Sequence, residues 1–360
     1  MSLLTMGTLE AAAMPDEDFS PSTTIQSRYQ ADETRQGPRL VRSDEREEKR
    51  WALILAGGDG NRLRSLTHLI CGDDRPKQFC RVIGRQSLLE QTRQRAARSV
   101  RPEQTIVALT RSHERFYEQD PGSPLLHRLV QPSNRGTAPP IILSLLHIMN
   151  QDPDALVAIL PSDHYYSDEA AFTSSLESAF GLARTNRESI VLLGAKPRGP
   201  EMEFGWIDVG PTTGINVFRV RGFEEKPHRA LAERLFESGA LWNTFVMVGH
   251  ASALLWMTVV SLPGLVAALD EALPRYDERG DLYVPASVYD GIPTTDYSRE
   301  VLAFNAHRLL ALRLRQLEWY DLGHPDRVVS VVRAQSREIP SWIYAWEGLR
   351  GMAPRPVVQS

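Results

Sequence analysis

Cysteine and lysine are both scarce in this chain of 360 residues. The two cysteines, Cys71 and Cys80, are too few for a disulfide scaffold and are not spaced like zinc ligands. They read as free thiols in a reducing cytoplasm. Lysine supplies four of the 41 basic residues (Lys49, Lys77, Lys196 and Lys226). Arginine is thus the default cation, and each lysine raises the question of why an arginine does not stand there. An excess of positive charge is missing too. The 45 acidic residues leave a net charge of −4, which argues against a strongly basic nucleic-acid binder. No apolar run approaches the roughly 18 residues of a membrane span. Neither nucleic acid nor a membrane is expected as a partner. Residues 1–48 have no basic start and no continuous apolar stretch, so they are not read as a signal peptide, and their acidity argues against a transit peptide.

What is present is ordinary soluble composition, 42% hydrophobic and 24% charged, on a chain long enough to bury a sizeable core. Residues 1–48 hold Pro, Ser, Thr and Gln clusters without apolar periodicity and read as a poorly ordered tail. From Trp51 short apolar runs recur at 51–56, 105–109, 128–130, 155–160 and 190–193. Helical stretches near 86–98, 138–149 and 168–184 separate them, the last with Ser167, Asp168 and Glu169 as a cap. Strands alternating with helices predict βαβ units and a mostly parallel central sheet. After residue 200 the rhythm changes. Residues 204–209 and 215–223 read as a hairpin, 229–238, 251–260 and 264–273 as helices, and 243–248, 310–314 and 328–332 as strands. A core domain over 49–333 is expected, followed by a docking tail over 334–360 that carries Trp342 and Trp346.

The segment Leu55-Ala56-Gly57-Gly58-Asp59-Gly60-Asn61-Arg62-Leu63 is the most informative. Three glycines directly after a buried strand let the backbone approach a ligand and aim N–H groups at phosphate oxygens. Two rival phosphate loops fail on spacing. There is no G-x-x-x-x-G-K-[ST] string, and Leu63 stands where a dinucleotide fingerprint needs its third glycine. Glycine content alone fits a plain strand-capping turn equally well. Arg62 adds a planar fork for phosphate oxygens, and Lys77, in Pro76-Lys77-Gln78-Phe79, adds a compact charge on a flexible stem.

Together these residues resemble the sugar-phosphate nucleotidyltransferases, most closely the mannose-1-phosphate guanylyltransferase branch. Further matches follow in order: Gln131-Pro132-x-x-Arg135-x-Thr137-Ala138-Pro139, Pro161-Ser162-Asp163-His164, Phe204-Gly205-Trp206-Ile207, Glu225-Lys226-Pro227, Leu241-Trp242-Asn243 and Trp319-Tyr320-Asp321-Leu322-Gly323. The resemblance spans about residues 51–332. It implies a Rossmann-like, three-layer α/β nucleotidyltransferase fold. It implies that Arg62 and Lys77 are catalytic. Nucleotide would be bound by Leu55, Ala56, Gly57, Gly58 and Gly60, with Gln131, Pro132, Ala138 and Ser162. Gly205, Glu225, Lys226 and Asn243 would hold the sugar phosphate. Asp163 and Asp321 would bind Mg²⁺, a cation that takes a few carboxylates together with phosphate oxygens and water; taken alone, each is a turn or cap aspartate. His164 reads as a structural histidine beside that site.

The implied reaction joins a nucleoside triphosphate, GTP favoured, to a hexose 1-phosphate, mannose 1-phosphate favoured. Relatives of this kind often pair, so a homodimer is expected. The chain departs from the family pattern at Asn61, Arg64, Ser65, Gly136, Thr244 and Phe245, and about four extra residues lie in the Cys71–Arg75 region. Those departures keep two alternatives open: another triphosphate with glucose 1-phosphate, or a weakly catalytic nucleotide-sugar-binding regulatory protein.

Overall fold

The run at 51–54 is continuous rather than alternating because strand β1 (Arg50–Leu55) lies inside the sheet and buries Trp51 through Ile54. The computed structural model describes residues 49–119, 126–272, 274–336 and 338–352. The tail read over 1–48 and the last residues of the one read over 334–360 lie outside them. After β1 come β2 (Thr105–Thr110), β3 (His127–Gln131), β4 (Leu156–Pro161), β5 (His164–Tyr166), β6 (Ile190–Ala195), β7 (Gly205–Gly214), β8 (Val217–Glu225), β9 (Leu241–His250), β10 (Arg275–Tyr276), β11 (Leu282–Tyr283), β12 (Leu309–Arg313) and β13 (Trp319–Asp321). Eleven strands form one sheet in the order β10-β11-β3-β2-β1-β4-β9-β6-β12-β8-β7, and β5 pairs with β13 in a second.

The expectation of a mostly parallel sheet is corrected. Strands β11, β3, β2, β1 and β4 run parallel, as do β6 and β12. Strand β9, however, is antiparallel to β4, β6 and β7, and β8 is antiparallel to β12 and β7. A short connection returns β7 onto β8 as a hairpin, and a parallel pair would need a long crossover there.

The helices that matter below are α1 (Arg64–Cys71), α2 (Leu88–Ala96), α3 (Ala138–Gln151), α4 (Glu169–Thr185), α5 (Arg229–Glu237), α6 (Ala251–Ser261), α7 (Pro263–Glu271), α8 (Pro325–Gln335) and α9 (Ser341–Met352). Helix α2 starts in a capping box of Ser87 and Glu90. The Asp168 carboxylate accepts from Ala171 N at the start of α4, as its position predicts. A second correction falls on 328–332, read as a strand from its valines. It is the middle of α8, which opens with a His324 cap and Pro325 in the first turn. Val328, Val331 and Val332 then share one buried helical face.

Two apolar clusters among the described residues bear on the site. The larger covers one face of the sheet's centre, where register aligns Ala52 and Ile54 with Val107, Ala158, Val191 and Val248, and it extends to Trp206 and Trp319. The smaller joins Leu63, Leu66, Cys80, Val82, Leu88, Leu322, the α8 valines and Ile343 of α9. Its members sit next in sequence to charged residues: Leu63 follows Arg62, Leu322 follows Asp321 and Val328 follows Arg327.

Candidate active site

The glycine loop leaves β1 at the carboxyl end of the parallel strands, where open α/β sheets take ligands. Its carbonyls are held from behind. The buried Gln78 amide donates to Ala56 O (2.9 Å) and Gly58 O (2.8 Å), and the Thr110 hydroxyl donates to Gly57 O (2.9 Å). With the carbonyls occupied, the N–H groups are the donors the loop offers a ligand. Gly57 is required by packing: a Cβ there would lie 2.9 Å from both Gln131 Nε2 and Thr110 Oγ1. Gly60 is required by conformation, with φ +64° at the start of the turn carrying Arg62. Gln131 is buried, donates to Leu109 O and accepts from the Tyr289 hydroxyl (3.1 Å). Pro132 follows it. Ala138 N donates to Thr295 O, so the start of α3 is tied to the 295–297 segment. Gly136 faces the same backbone at φ +86°, and a Cβ would collide with the Thr295 carbonyl. A larger side chain has no room here.

The carboxylates meet through register. Strand β4 ends in the two-residue turn Ser162-Asp163, and Ser162 N donates to Leu55 O (3.1 Å), which ties that turn to the glycine loop. Strand β5 follows and pairs with β13 so that His164 faces Asp321. Asp163 and Asp321 thereby flank one cation: Lys77 Nζ lies 3.0 Å from Asp163 Oδ2, 3.5 Å from Asp321 Oδ1 and 3.2 Å from Leu322 O. Burial opposes the charge on Lys77, and the two carboxylates more than offset it, holding its pKa above the usual lysine value. Burial likewise pushes the Asp321 carboxyl upward, but Lys77, His164 and Arg327 outweigh it, and the net direction is down. Trp319 Nε1 donates to His164 Nδ1 (3.2 Å), leaving Nε2 as the protonated nitrogen. That nitrogen faces Asp163 and Asp321 at 3.7 and 3.9 Å. Burial lowers the histidine's pKa more than these carboxylates raise it.

Gly205, Glu225, Lys226 and Asn243 form a second group. Gly205 pairs with Glu225 across β7 and β8, and a Cβ on it would lie 2.7 Å from Glu225 Oε2. Glu225 is partly buried, and that burial pushes its carboxyl upward against the pull of Lys226, 3.0 Å away. Lys226 itself has φ +52°. Asn243 sits opposite Gly194, where the β6–β9 register shifts, and its Oδ1 accepts from Phe245 N (3.1 Å). Phe245 takes φ +58°, a left-handed backbone that a bulky residue rarely adopts and that glycine adopts freely.

A cavity of about 360 Å³ is lined by Asp321, Arg327 and Trp319 together with Phe204 and Trp242, the sequence neighbours of Gly205 and Asn243, among others. Arg62 reaches Glu203 (3.1 Å), and Arg327, which lines the cavity, reaches Glu201 (3.1 Å), Glu203 (3.2 Å) and Asp321 (3.7 Å). Sequence reasoning missed Arg327, because reading 328–332 as a strand hid the helix that aims it; His324-Pro325 was the available signal. It also missed Gln78 and Thr110 as supports of the loop, and no local signal marks them.

The nucleotidyl transferase family model matches residues 51–337. The xanthan biosynthesis protein XanB of Xanthomonas campestris pv. campestris is 35% identical over 205 residues, covering 56% of this chain and 42% of that one. Mannose-1-phosphate guanylyltransferase RfbM of Salmonella typhimurium is 31% identical over 281 residues, 75% of this chain and 56% of that one. This chain spans about half the length of these curated relatives. A solved structure described as mannose-1-phosphate geranyltransferase from Thermus thermophilus superposes with a TM-score of 0.68 at 30% identity, covering 80% of each chain.

Proposed function

The chain belongs to the nucleotidyl transferase family, and from that membership we propose that it transfers the guanylyl group of GTP to mannose 1-phosphate, releasing pyrophosphate and GDP-mannose. The observation that carries the proposal is Lys77 held between Asp163 and Asp321 beside the glycine loop. A sugar-phosphate oxygen attacks the α-phosphorus in line and pyrophosphate leaves, with no covalent enzyme intermediate. Such a reaction needs alignment and charge neutralisation more than acid–base chemistry. The loop N–H groups and Arg62 grip the triphosphate. Lys77 sits where charge develops on the α-phosphate. Lys226 holds the attacking phosphate. Glu225 and Asn243 offer polar atoms to sugar hydroxyls.

Among the described residues no cluster of three or more His, Cys, Asp or Glu is arranged to hold a metal alone. Two hard carboxylates already facing one cation nevertheless suit Mg²⁺, which keeps water and phosphate oxygens as its other ligands. Asp163 and Asp321 would hold it, and when bound it supplies further neutralisation of phosphate charge.

Pyrophosphate release tests the proposal, with four nucleoside triphosphates crossed against mannose, glucose and N-acetylglucosamine 1-phosphates. GTP with mannose 1-phosphate is expected to be the fastest pair, silent in chelator and restored by Mg²⁺. A different fastest pair replaces the substrates. A folded protein that binds nucleotide but releases no pyrophosphate from any pair overturns the transfer itself.

A further inference from the structure

The fold brings the chain's two thiols together. Cys71 Sγ lies 3.1 Å from Cys80 Sγ. Cys71 ends α1 and is partly exposed, whereas Cys80 is fully buried in the smaller apolar cluster. Between them runs the segment in which this chain is longer than its family pattern. Gly72 ends α1 at φ +77°, and the Asp73 carboxylate takes two hydrogen bonds of 2.7 Å from the Arg75 guanidinium, which brings the chain back towards Cys80. Cys80 also closes the turn that carries Lys77: its N–H donates to Lys77 O (2.9 Å), and its carbonyl accepts from Leu88 N (3.2 Å). The transfer mechanism uses neither thiol.

We propose that Cys71 and Cys80 form a modification site, oxidised by hydrogen peroxide to an intramolecular disulfide that displaces the Lys77 turn. The Cys71 thiolate attacks one peroxide oxygen. The O–O bond breaks, the sulfur becomes a sulfenic acid, and the hydroxide released takes a proton to give water. The Cys80 sulfur then attacks the sulfenic sulfur. An S–S bond forms, the S–O bond breaks, and the departing hydroxyl leaves with the Cys80 proton as a second water.

The roles follow from the surroundings. An exposed, easily ionised thiol next to a buried partner is the usual layout of a peroxide-reactive pair. The hydrogen bond from Cys80 lowers the Cys71 pKa to about 7, against the effect of burial and with help from Arg75. Burial and the neighbouring Cys71 push the Cys80 thiol upward. Bond formation draws the sulfurs from 3.1 Å to about 2.05 Å. A shift on the order of 1 Å in a charge-stabilising group is enough to cost about 10²-fold in rate. The oxidation itself stands on the geometry of the pair, and only its effect on turnover rests on the proposed transfer reaction.

The test treats the full-length reduced protein with hydrogen peroxide, blocks remaining thiols with N-ethylmaleimide, and reads intact mass, peptide linkage and turnover. The expected product has lost two hydrogens, takes no maleimide, links Cys71 to Cys80 within one chain, and reverts with dithiothreitol. Turnover is expected to fall by about tenfold or more and to return on reduction. Cys71→Ser is expected to keep its turnover in peroxide. Cys80→Ser is expected to stop at a Cys71 sulfenic acid that dimedone traps. Should burial make Cys80→Ser unstable, the half-exposed Cys71→Ser still carries the test. Two maleimide-reactive thiols after peroxide, or linkage only between chains, overturns the site. A disulfide that leaves turnover unchanged overturns its coupling to Lys77. A reduced protein with no turnover for any substrate pair counts against the transfer reading, and the mass readouts stand unaffected.

Discussion

The two sides of the candidate site are held by different forces. On the glycine-loop side the supports are neutral and buried: Gln78, Thr110, Gln131 and Tyr289 satisfy carbonyls and one another away from water. On the other side charge holds charge. Arg62 and Arg327 share Glu203, Arg327 also takes Glu201, and Lys226 takes Glu225. Opening a buried hydrogen-bond network leaves groups unsatisfied and costs about 1–3 kcal/mol per group, whereas partly exposed ion pairs are worth about 0–1 kcal/mol each. The loop side is therefore expected to be preformed, with rearrangement on ligand binding expected on the charged side, where an incoming phosphate can replace a carboxylate. Lys77 stands at the join, largely shielded from water and paired like the second side.

The sharpest way to break this arrangement is at the join. Lys77→Ala is expected to lower pyrophosphate release by about 10²–10³-fold. It also removes the cation that holds Asp321 below the usual carboxylate range. A depressed carboxylate contributes stability above about pH 3.9, the unfolded value, and loses it as pH falls through the lower folded value. In Mg²⁺-free buffer the acid unfolding midpoint of Lys77→Ala should move to higher pH; an unmoved midpoint rejects the pairing.

The next effect tests the rigid side. Gly136→Ala must push a methyl into the Thr295 backbone at φ +86° and should cost about 3 kcal/mol in urea unfolding. Gly72→Ala meets no neighbour at φ +77° and should cost only about 1 kcal/mol. Equal costs would show that contact with Thr295 does not matter.

A smaller effect of opposite sign belongs to the charged side. Burial raises the Glu225 pKa, so the folded state binds that proton more tightly than the unfolded chain. The ionised carboxylate then costs stability near neutral pH, and the cost fades as pH falls through the folded value. Glu225→Gln should stabilise by about 1 kcal/mol in thermal unfolding at neutral pH, and raise KM for the sugar phosphate. A destabilised variant would show that the pair with Lys226 outweighs burial.

Smallest of all is Glu203→Gln. Its pair with Arg62 is exposed, at 59% and 42% of the two side chains, so stability should change by less than about 0.5 kcal/mol. Calorimetry should show tighter triphosphate binding as Arg62 is released. Weaker binding would mean that Glu203 aims the arginine instead of restraining it.

Much of this was legible along the chain. Period and burial agree for β1, β2, β4 and β6, because a strand buried on both faces needs nothing but apolar residues. The Asp168 cap and the glycine loop are local chemistry, read from neighbouring residues. Lys77 stood out through the rarity of lysine. The α8 helix was misread because β-branched valines favour strands, although the Pro325 start was there to find.

Local pattern thus settled the central strands and most helices, with the valine run of α8 the exception. The direction of each strand, the antiparallel path of β9 and the meeting of Asp163 with Asp321 came only from folding. Pairing direction and register depend on contacts between segments tens of residues apart, as for β9 with β4 and β6, or more than a hundred apart, as for β5 with β13, and neither leaves a period in the sequence. The same holds for the contact between Cys71 and Cys80: nine residues of spacing permit many distances, and it was the shared packing of α1 and Cys80 in the smaller apolar cluster that chose one.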